Sequence, residues 1–292
     1  MTDVTVLDGG LSNALADRAH DLSSELWTAR LLRDAPAEIA AVHRAYFNAG
    51  ARVATTASYQ ASVDGFISFG VDRAEATDLI RRSVLIARDV RDELAGDGVR
   101  RLVAASVGPY GAVLADGSEY RGQYGLSASR LRDFHGPRLE LLASAQPDLF
   151  AVETIPDLDE AQVLVALIGE FGLPAWVSYS IDGATTRAGQ PLADAFAVAA
   201  GVSSVIAVGV NCCAPADVLA AVELVVATTG RPAVAYPNRG ESWDATTKSW
   251  RGDRAFDPAP AVDWVTAGAQ YVGGCCRVGP ADIAAVATLL AG

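Results

Sequence analysis

The chain has 292 residues, half of them apolar and a fifth charged, with a formal net charge of −12. That length and composition suit a soluble enzyme with a sizeable core. The acidic balance argues against nucleic acid or an anionic membrane as partner, since both reward a basic surface. The opening Met1-Thr2-Asp3-Val4 has neither the basic nor the apolar region of a signal peptide. No stretch reaches the roughly twenty uninterrupted apolar residues of a membrane span. A cytoplasmic enzyme acting on small molecules is expected.

A short apolar strand, a polar turn and a helical stretch then recur from end to end. Strands are predicted over residues 4–7, 51–54, 102–107, 149–152, 175–179, 205–210, 233–236 and 270–272. Helical sequence follows them over about 36–48, 72–94, 128–145, 159–170, 192–200, 215–229, 259–267 and the C-terminal stretch. Pro36 and Gly50 punctuate the first of these helices, and Asp217 stands in the first turn of the sixth. Residues 108–125 and 237–256 read as long polar loops.

Eight strand–helix units predict a (β/α)8 TIM barrel, because strict alternation demands parallel strands and eight close a cylinder. The rival is a doubly wound open sheet, which usually carries a GxGxxG turn after its first strand. Asp8-Gly9-Gly10-Leu11 lacks that spacing. With no linker or low-complexity run, one domain over residues 1–292 is expected.

Only four cysteines are present, as two adjacent pairs, Cys212-Cys213 and Cys275-Cys276. Each pair follows a predicted strand. Neighbouring Cα atoms lie about 3.8 Å apart, below the usual disulfide separation of roughly 5.5–6 Å. Shared coordination of a soft metal, zinc first, is the better use of such thiols. The plainer reading is that they are small core hydrophobes, and no CxxC or zinc-finger spacing occurs. The barrel favours the metal, because chemistry gathers at the carboxyl ends of its strands. Three thiolates without a fourth protein ligand leave zinc an open position, the pattern of a catalytic site.

Other polar residues end strands on the same rim. Asp8 and Glu153 could hold an ammonium group, although a cap and a rim ion pair explain them equally well. Thr55, Asn211, Tyr236 and Asn238 are candidate hydrogen-bonding groups. Gly9, Gly10, Gly273 and Gly274 suit close backbone approach or tight turns. His20, His43 and His135 end no strand and read as structural or surface residues. Trp243 and Trp250 could wall a pocket for a cation, with loop anchoring the simpler role.

Taken together, the chain resembles the homocysteine S-methyltransferase family, which includes S-methylmethionine- and betaine-dependent branches. The resemblance spans essentially the whole chain. It rests on Asp8-Gly9-Gly10, Val107-Gly108-Pro109-Tyr110-Gly111 and Ala115-Asp116-Gly117-Ser118-Glu119-Tyr120. It continues through Glu153-Thr154-Ile155-Pro156, Gly209-Val210-Asn211-Cys212, Tyr236-Pro237-Asn238 and Gly273-Gly274-Cys275-Cys276.

The resemblance implies that Cys212, Cys275 and Cys276 bind one zinc ion. Cys213 departs from the family's single thiol at that place; by its position in the family pattern it is a bystander, and on a strand leaving the barrel it faces away from Cys212. Asp8 and Glu153 resemble the groups that hold the amino end of homocysteine, with Thr55 and Asn211 as further substrate-binding positions. The implied reaction is direct methyl transfer from an onium donor to the homocysteine thiolate, forming methionine without corrin or folate. The Ser118-Glu119-Tyr120 loop and the tryptophan-bearing loop look like the sulfonium-using branch, so S-methylmethionine or S-adenosylmethionine is expected before betaine. A selenol or another thiol could serve as acceptor. Two other classes stay open: a barrel hydrolase or lyase whose zinc activates water, with Glu153 as base, and a protein that only stores zinc. Oligomeric state is not legible.

Overall fold

The apolar runs become eight parallel strands: β1 Thr5–Val6, β2 Val53–Thr55, β3 Leu102–Val107, β4 Leu149–Ile155, β5 Ala175–Tyr179, β6 Val205–Asn211, β7 Ala233–Tyr236 and β8 Ala269–Val272. From β2 to β8 each strand pairs with the next in chain order, and β8 pairs with β1. Leu7 bridges Val53 in parallel, and the Arg52 N–H donates to the Val6 carbonyl at 2.7 Å. That closes the cylinder as the expected TIM barrel. The computed structural model describes residues 4–19, 27–244, 249–251 and 256–291.

Helices pack outside the strands: α1 Leu11–Ala16, α2 Trp27–Asp34, α3 Pro36–Asn48, α4 Val63–Ser68, α5 Arg73–Glu93, α6 Tyr110–Leu114, α7 Ala128–Ser144, α8 Leu158–Phe171, α9 Leu192–Ala197, α10 Pro215–Thr229, α11 Pro260–Ala267 and α12 Pro280–Ala291. Local chemistry sets their ends. The Asp72 carboxylate caps α5 by accepting from the Glu75 N–H at 2.9 Å. Pro215 opens α10 and left-handed Gly230 closes it. Among the described residues, no helix is long and apolar enough to cross a membrane.

Two cores follow from the alternation of the strands. One joins Leu7, Val53, Ala104, Leu149, Ala151, Trp176, Ala207, Val234 and Tyr236, to which every buried member comes from a strand or its end. This is the barrel interior. The other joins Phe150, Val152, Val177, Val208 and Val210 to helical residues such as Leu79, Leu139, Leu164 and Val222. It fills the layer between sheet and helices. By this parity Glu153, two residues beyond Ala151, and Asn211, at the end of β6, belong to the inward face.

The structure departs from expectation in its connections. Helices α1, α2 and α4 were not anticipated, and the supposed loop 108–125 holds α6 and a 3-10 turn at Ser118–Tyr120. The register of β4 against β5 shifts between Val152 and Ile155, so β4 runs through a bulge instead of stopping at Val152. Ile181–Asp182 and Thr185–Thr186 form a small antiparallel pair after β5. In the loop after β7, Trp243 and Trp250 are register partners in a second antiparallel pair. Their side chains, and His20, lie outside the described residues.

Candidate metal centre and substrate pocket

The strand ends bring three of the four thiols together. The Sγ atoms of Cys212, Cys275 and Cys276 all lie within 4.8 Å of one another, with Cys212 and Cys276 at 3.8 Å. Cys213 stands apart, fully buried in the outer core. Strand alternation alone would give the reverse. Cys213 is two residues beyond inward-facing Asn211 and would share its side. The switch is made at Cys212, whose φ of 49° lies in the left-handed region that β-carbon-bearing residues seldom adopt. That turn puts the Cys212 thiol into the pocket and Cys213 behind the sheet.

Three thiols at this separation suit a soft divalent ion. Sulfurs bound tetrahedrally at about 2.3 Å stand roughly 3.8 Å apart, the spacing found between Cys212 and Cys276. A disulfide needs about 2.05 Å. Hydrogen bonds from the Cys275 and Cys276 thiols hold Cys212 well below the usual thiol range. The contact with Cys212, above all, pushes Cys275 and Cys276 well above it. Thiolates crowded this closely repel one another, so ionising all three calls for a cation. Burial pushes the Cys213 thiol far up, so it stays protonated.

The thiols form one wall of a pocket of about 130 Å³. Asp8 and Glu153 line it too, and both are buried. Asp8 accepts from the Thr55 N–H at 2.7 Å and the Thr55 hydroxyl at 2.8 Å. Burial still pushes its pKa up to about 7. Glu153 accepts from the Ser106 hydroxyl. Burial, helped by the charges on Cys212 and Asp8, pushes its pKa up to about 8. Two buried carboxylates lining one pocket have the chemistry to receive a cation. Thr55 lines the pocket, with its hydroxyl committed to Asp8.

Asn211 is placed differently from the expectation that it touches substrate. It is fully buried, does not line the pocket, and its amide is saturated. The side-chain oxygen accepts from the Thr154 N–H at 2.7 Å and the Ser178 hydroxyl at 2.8 Å. The nitrogen donates to Thr154 Oγ1 at 2.8 Å and reaches Cys275 Sγ at 3.9 Å. Ser178 continues the network to the Tyr236 hydroxyl at 2.6 Å, which takes the Trp176 indole N–H at 2.9 Å. Asn211 braces the wall from behind.

Asn238 accepts from the Cys276 N–H at 3.1 Å, and Tyr236 lines the pocket. Neither described histidine reaches the site. His43 is buried without a hydrogen-bond partner, and His135 pairs with buried Glu160 at 2.9 Å. Ser106 and Asn13 line the pocket unforeseen, beside Tyr120 of the Ser118-Glu119-Tyr120 motif. The strand alternation could have flagged Ser106, but only tertiary contact identifies Asn13.

Glycine lets the two halves of this wall meet. A β-carbon on Gly10 would sit 2.6 Å from the Cys275 carbonyl oxygen, and one on Gly9 would sit 2.3 Å from that of Val278. The Asp8-Gly9-Gly10 loop therefore presses on the cysteine turn with no room for a side chain.

With this geometry established, the chain was compared with known proteins. The homocysteine S-methyltransferase family model matches residues 5–290. The chain belongs to the homocysteine S-methyltransferase family. Homocysteine S-methyltransferase 4 of Zea mays is 45% identical, over 97% of this chain and 88% of the relative. Homocysteine S-methyltransferase of Escherichia coli is 42% identical, over 97% of this chain and 94% of the relative. The barrel superposes with a TM-score of 0.89 on the crystal structure of the metallated form of the homocysteine methyltransferase MmuM from Escherichia coli. That match is 40% identical and covers 98% of this chain and 96% of the other. Family and fold agree with the resemblance drawn from the motifs, and a family member of nearly the same shape is known with metal.

Proposed function

We propose that the chain moves a methyl group from a sulfonium donor, S-methylmethionine or S-adenosylmethionine, to the sulfur of L-homocysteine, forming methionine. One observation carries the reading: three thiols within 4.8 Å of one another open onto the same pocket as two buried carboxylates. Cys212, Cys275 and Cys276 are the residues that would hold a single zinc ion. Bound there, zinc supplies the positive charge that keeps the acceptor sulfur a thiolate near neutral pH, where a free thiol of pKa near 8.5 is mostly protonated.

The chain's own groups account for the rest. Asp8 and Glu153 are raised toward neutrality by burial, and an incoming ammonium offsets that cost and leaves both ionised. Thr55 and Ser106 fix the two carboxylates, so the amino end of the acceptor is held in one place. Tyr59 and Tyr120 line the same pocket, and aromatic rings favour an onium cation. Thiolate and sulfonium both lose charge as the methyl moves. A pocket that sheds bulk water therefore favours the transition state, and holding the two substrates in line supplies the remainder.

A zinc hydrolase would need a free base; Glu153, its candidate, is engaged by the Ser106 hydroxyl. The thiols call for a reducing compartment, so the cytoplasm is the proposed location. Residues 5–290, the span of the family match, are taken as one catalytic domain.

The test is to supply the purified, metal-replete protein with ¹³C-labelled homocysteine and, separately, S-methylmethionine, S-adenosylmethionine or betaine. Labelled methionine formed fastest with a sulfonium donor is expected. Labelled methionine from betaine alone would overturn the donor assignment. None from any donor would overturn the reaction.

A further inference from the structure

The turn carrying Cys275 and Cys276 belongs to neither sheet nor helix, so its N–H groups must find partners elsewhere. Backbone carbonyls serve the first of them: Gly274 donates to Asp8 at 3.1 Å and Cys275 to Pro237 at 2.8 Å. The next two amides turn to side chains. The Cys276 N–H donates to Asn238 Oδ1 at 3.1 Å, and the Arg277 N–H donates to Asn13 Oδ1 at 2.7 Å.

Arg277 has a φ of 67°. A non-glycine residue is strained in that conformation and persists there only where its surroundings over-determine it. The left-handed step lets the Val278 N–H return to the Cys275 carbonyl at 3.2 Å, which curls the chain around Cys276. Asn13 comes from the opposite end of the sequence, 264 positions away, on the first helix after β1. A β-carbon added to Gly10 would stand 3.1 Å from Asn13 Oδ1 and 3.3 Å from the Arg277 nitrogen. No side chain could share the space that this hydrogen bond occupies.

We propose that Asn13 is a positioning residue of the metal centre: its amide oxygen, beside that of Asn238, fixes the left-handed turn at Arg277 and so aims the Cys275 and Cys276 thiols at Cys212. The proposal rests on the three-thiol reading above. Its physical content is preorganisation. Two amide oxygens, one carried on α1 and the other just beyond β7, hold consecutive N–H groups of a turn that regular structure does not hold. With either removed, the turn samples other conformations, and the thiols must be ordered at the expense of metal affinity. Outer partners of this kind are typically worth 10- to 100-fold in affinity.

Cobalt(II) is the probe, because thiolate-to-cobalt absorption reports how many sulfurs engage it. The wild type, Asn13→Ala, Asn13→Asp and Asn238→Ala proteins are titrated with cobalt against a competing chelator, without substrates. Asn13→Ala is expected to bind roughly 10-fold or more weakly, with weaker thiolate absorption at saturation and unchanged circular dichroism. Asn13→Asp, which keeps an acceptor oxygen for the Arg277 N–H, restores the affinity. Asn238→Ala shows the same loss without touching α1, and decides the matter if Asn13→Ala does not fold. Wild-type affinity and spectrum in the alanine variants, or no rescue by aspartate, would overturn the role of Asn13. A wild type that takes up no metal would overturn the three-thiol reading itself, and the proposal with it.

Discussion

Asn211 grips Thr154 at two points, accepting from its N–H at 2.7 Å and donating to its hydroxyl at 2.8 Å. Thr154 has a φ of 61°, a conformation strongly disfavoured for a β-branched side chain. The pair therefore maintains the bulge of β4 directly after Glu153, while the same amide reaches Cys275. Carboxylate and thiol are positioned by one buried side chain.

Asn211→Ala strands the Thr154 N–H in the barrel interior and leaves the Ser178 hydroxyl only its bond to Tyr236. Unsatisfied buried groups cost about 1–3 kcal/mol each, so a loss of about 3 kcal/mol in urea unfolding is expected, together with weaker acceptor binding. A variant within about 0.5 kcal/mol of wild type, the range of an ordinary surface change, would refute the bracing role.

Asp8 gives acceptor binding a pH dependence. Its folded pKa is raised to about 7, so the empty protein is protonated there below neutrality and the stability contributed is lost as pH rises through that value. An ammonium ligand needs the ionised form. The KM for homocysteine is expected to fall between pH 6 and pH 8. Asp8→Asn should raise KM roughly 10- to 100-fold, the worth of a charged hydrogen bond, and remove the limb near pH 7. An unaltered KM–pH profile in the variant would exclude Asp8 from the substrate.

His43 sets an acid limit on the fold. Burial lowers its pKa from 6.5 to about 4, so the unfolded chain takes up a proton that the folded chain refuses. The stability it contributes is intact above pH 6.5 and lost as pH falls toward 4. Between pH 7 and pH 5 the loss is about 2 kcal/mol from this group. Urea titrations at the two values should show that slope, and His43→Leu should be shallower by the same amount. An unchanged slope would assign acid sensitivity elsewhere.

Gly10 and Gly169 should respond oppositely to alanine. At Gly10 the new β-carbon meets the Cys275 carbonyl oxygen at 2.6 Å; at Gly169, inside α8, it comes no nearer than 3.7 Å to an atom beyond its own helix and chain neighbours. Gly10→Ala is expected to lose metal on dialysis against a chelator. Gly169→Ala should keep it and gain roughly 0.5–1 kcal/mol from helix propensity. Metal retention by Gly10→Ala would show that the two loops are not rigidly apposed.

The barrel was legible because eight short apolar runs, such as residues 149–152, take turns with helical stretches, and because proline and glycine mark the helix ends. The thiol cluster was legible from the topology, which puts the ends of β6 and β8 on one rim. What distinguishes Cys212 from Cys213 was not. Alternation correctly separates the two but assigns them to the wrong sides, and the left-handed turn that corrects it runs against the local preference of a cysteine. Thr154 and Arg277 are likewise held left-handed by partners distant in sequence, Asn211 and Asn13. The same holds for Asn211: its place at a strand end was visible in the sequence, but its saturation by Thr154 and Ser178 was not.

The most direct measurement is the metal content and methyl-transfer rate of four single variants, Cys212→Ala, Cys213→Ala, Cys275→Ala and Cys276→Ala, purified under reducing conditions with zinc present. The expected result is about one zinc per chain and full transfer for wild type and Cys213→Ala, with both lost in each of the other three. Loss of metal in Cys213→Ala, or full transfer by any of the other three without zinc, would contradict the assignment of Cys212, Cys275 and Cys276 as the centre of the reaction.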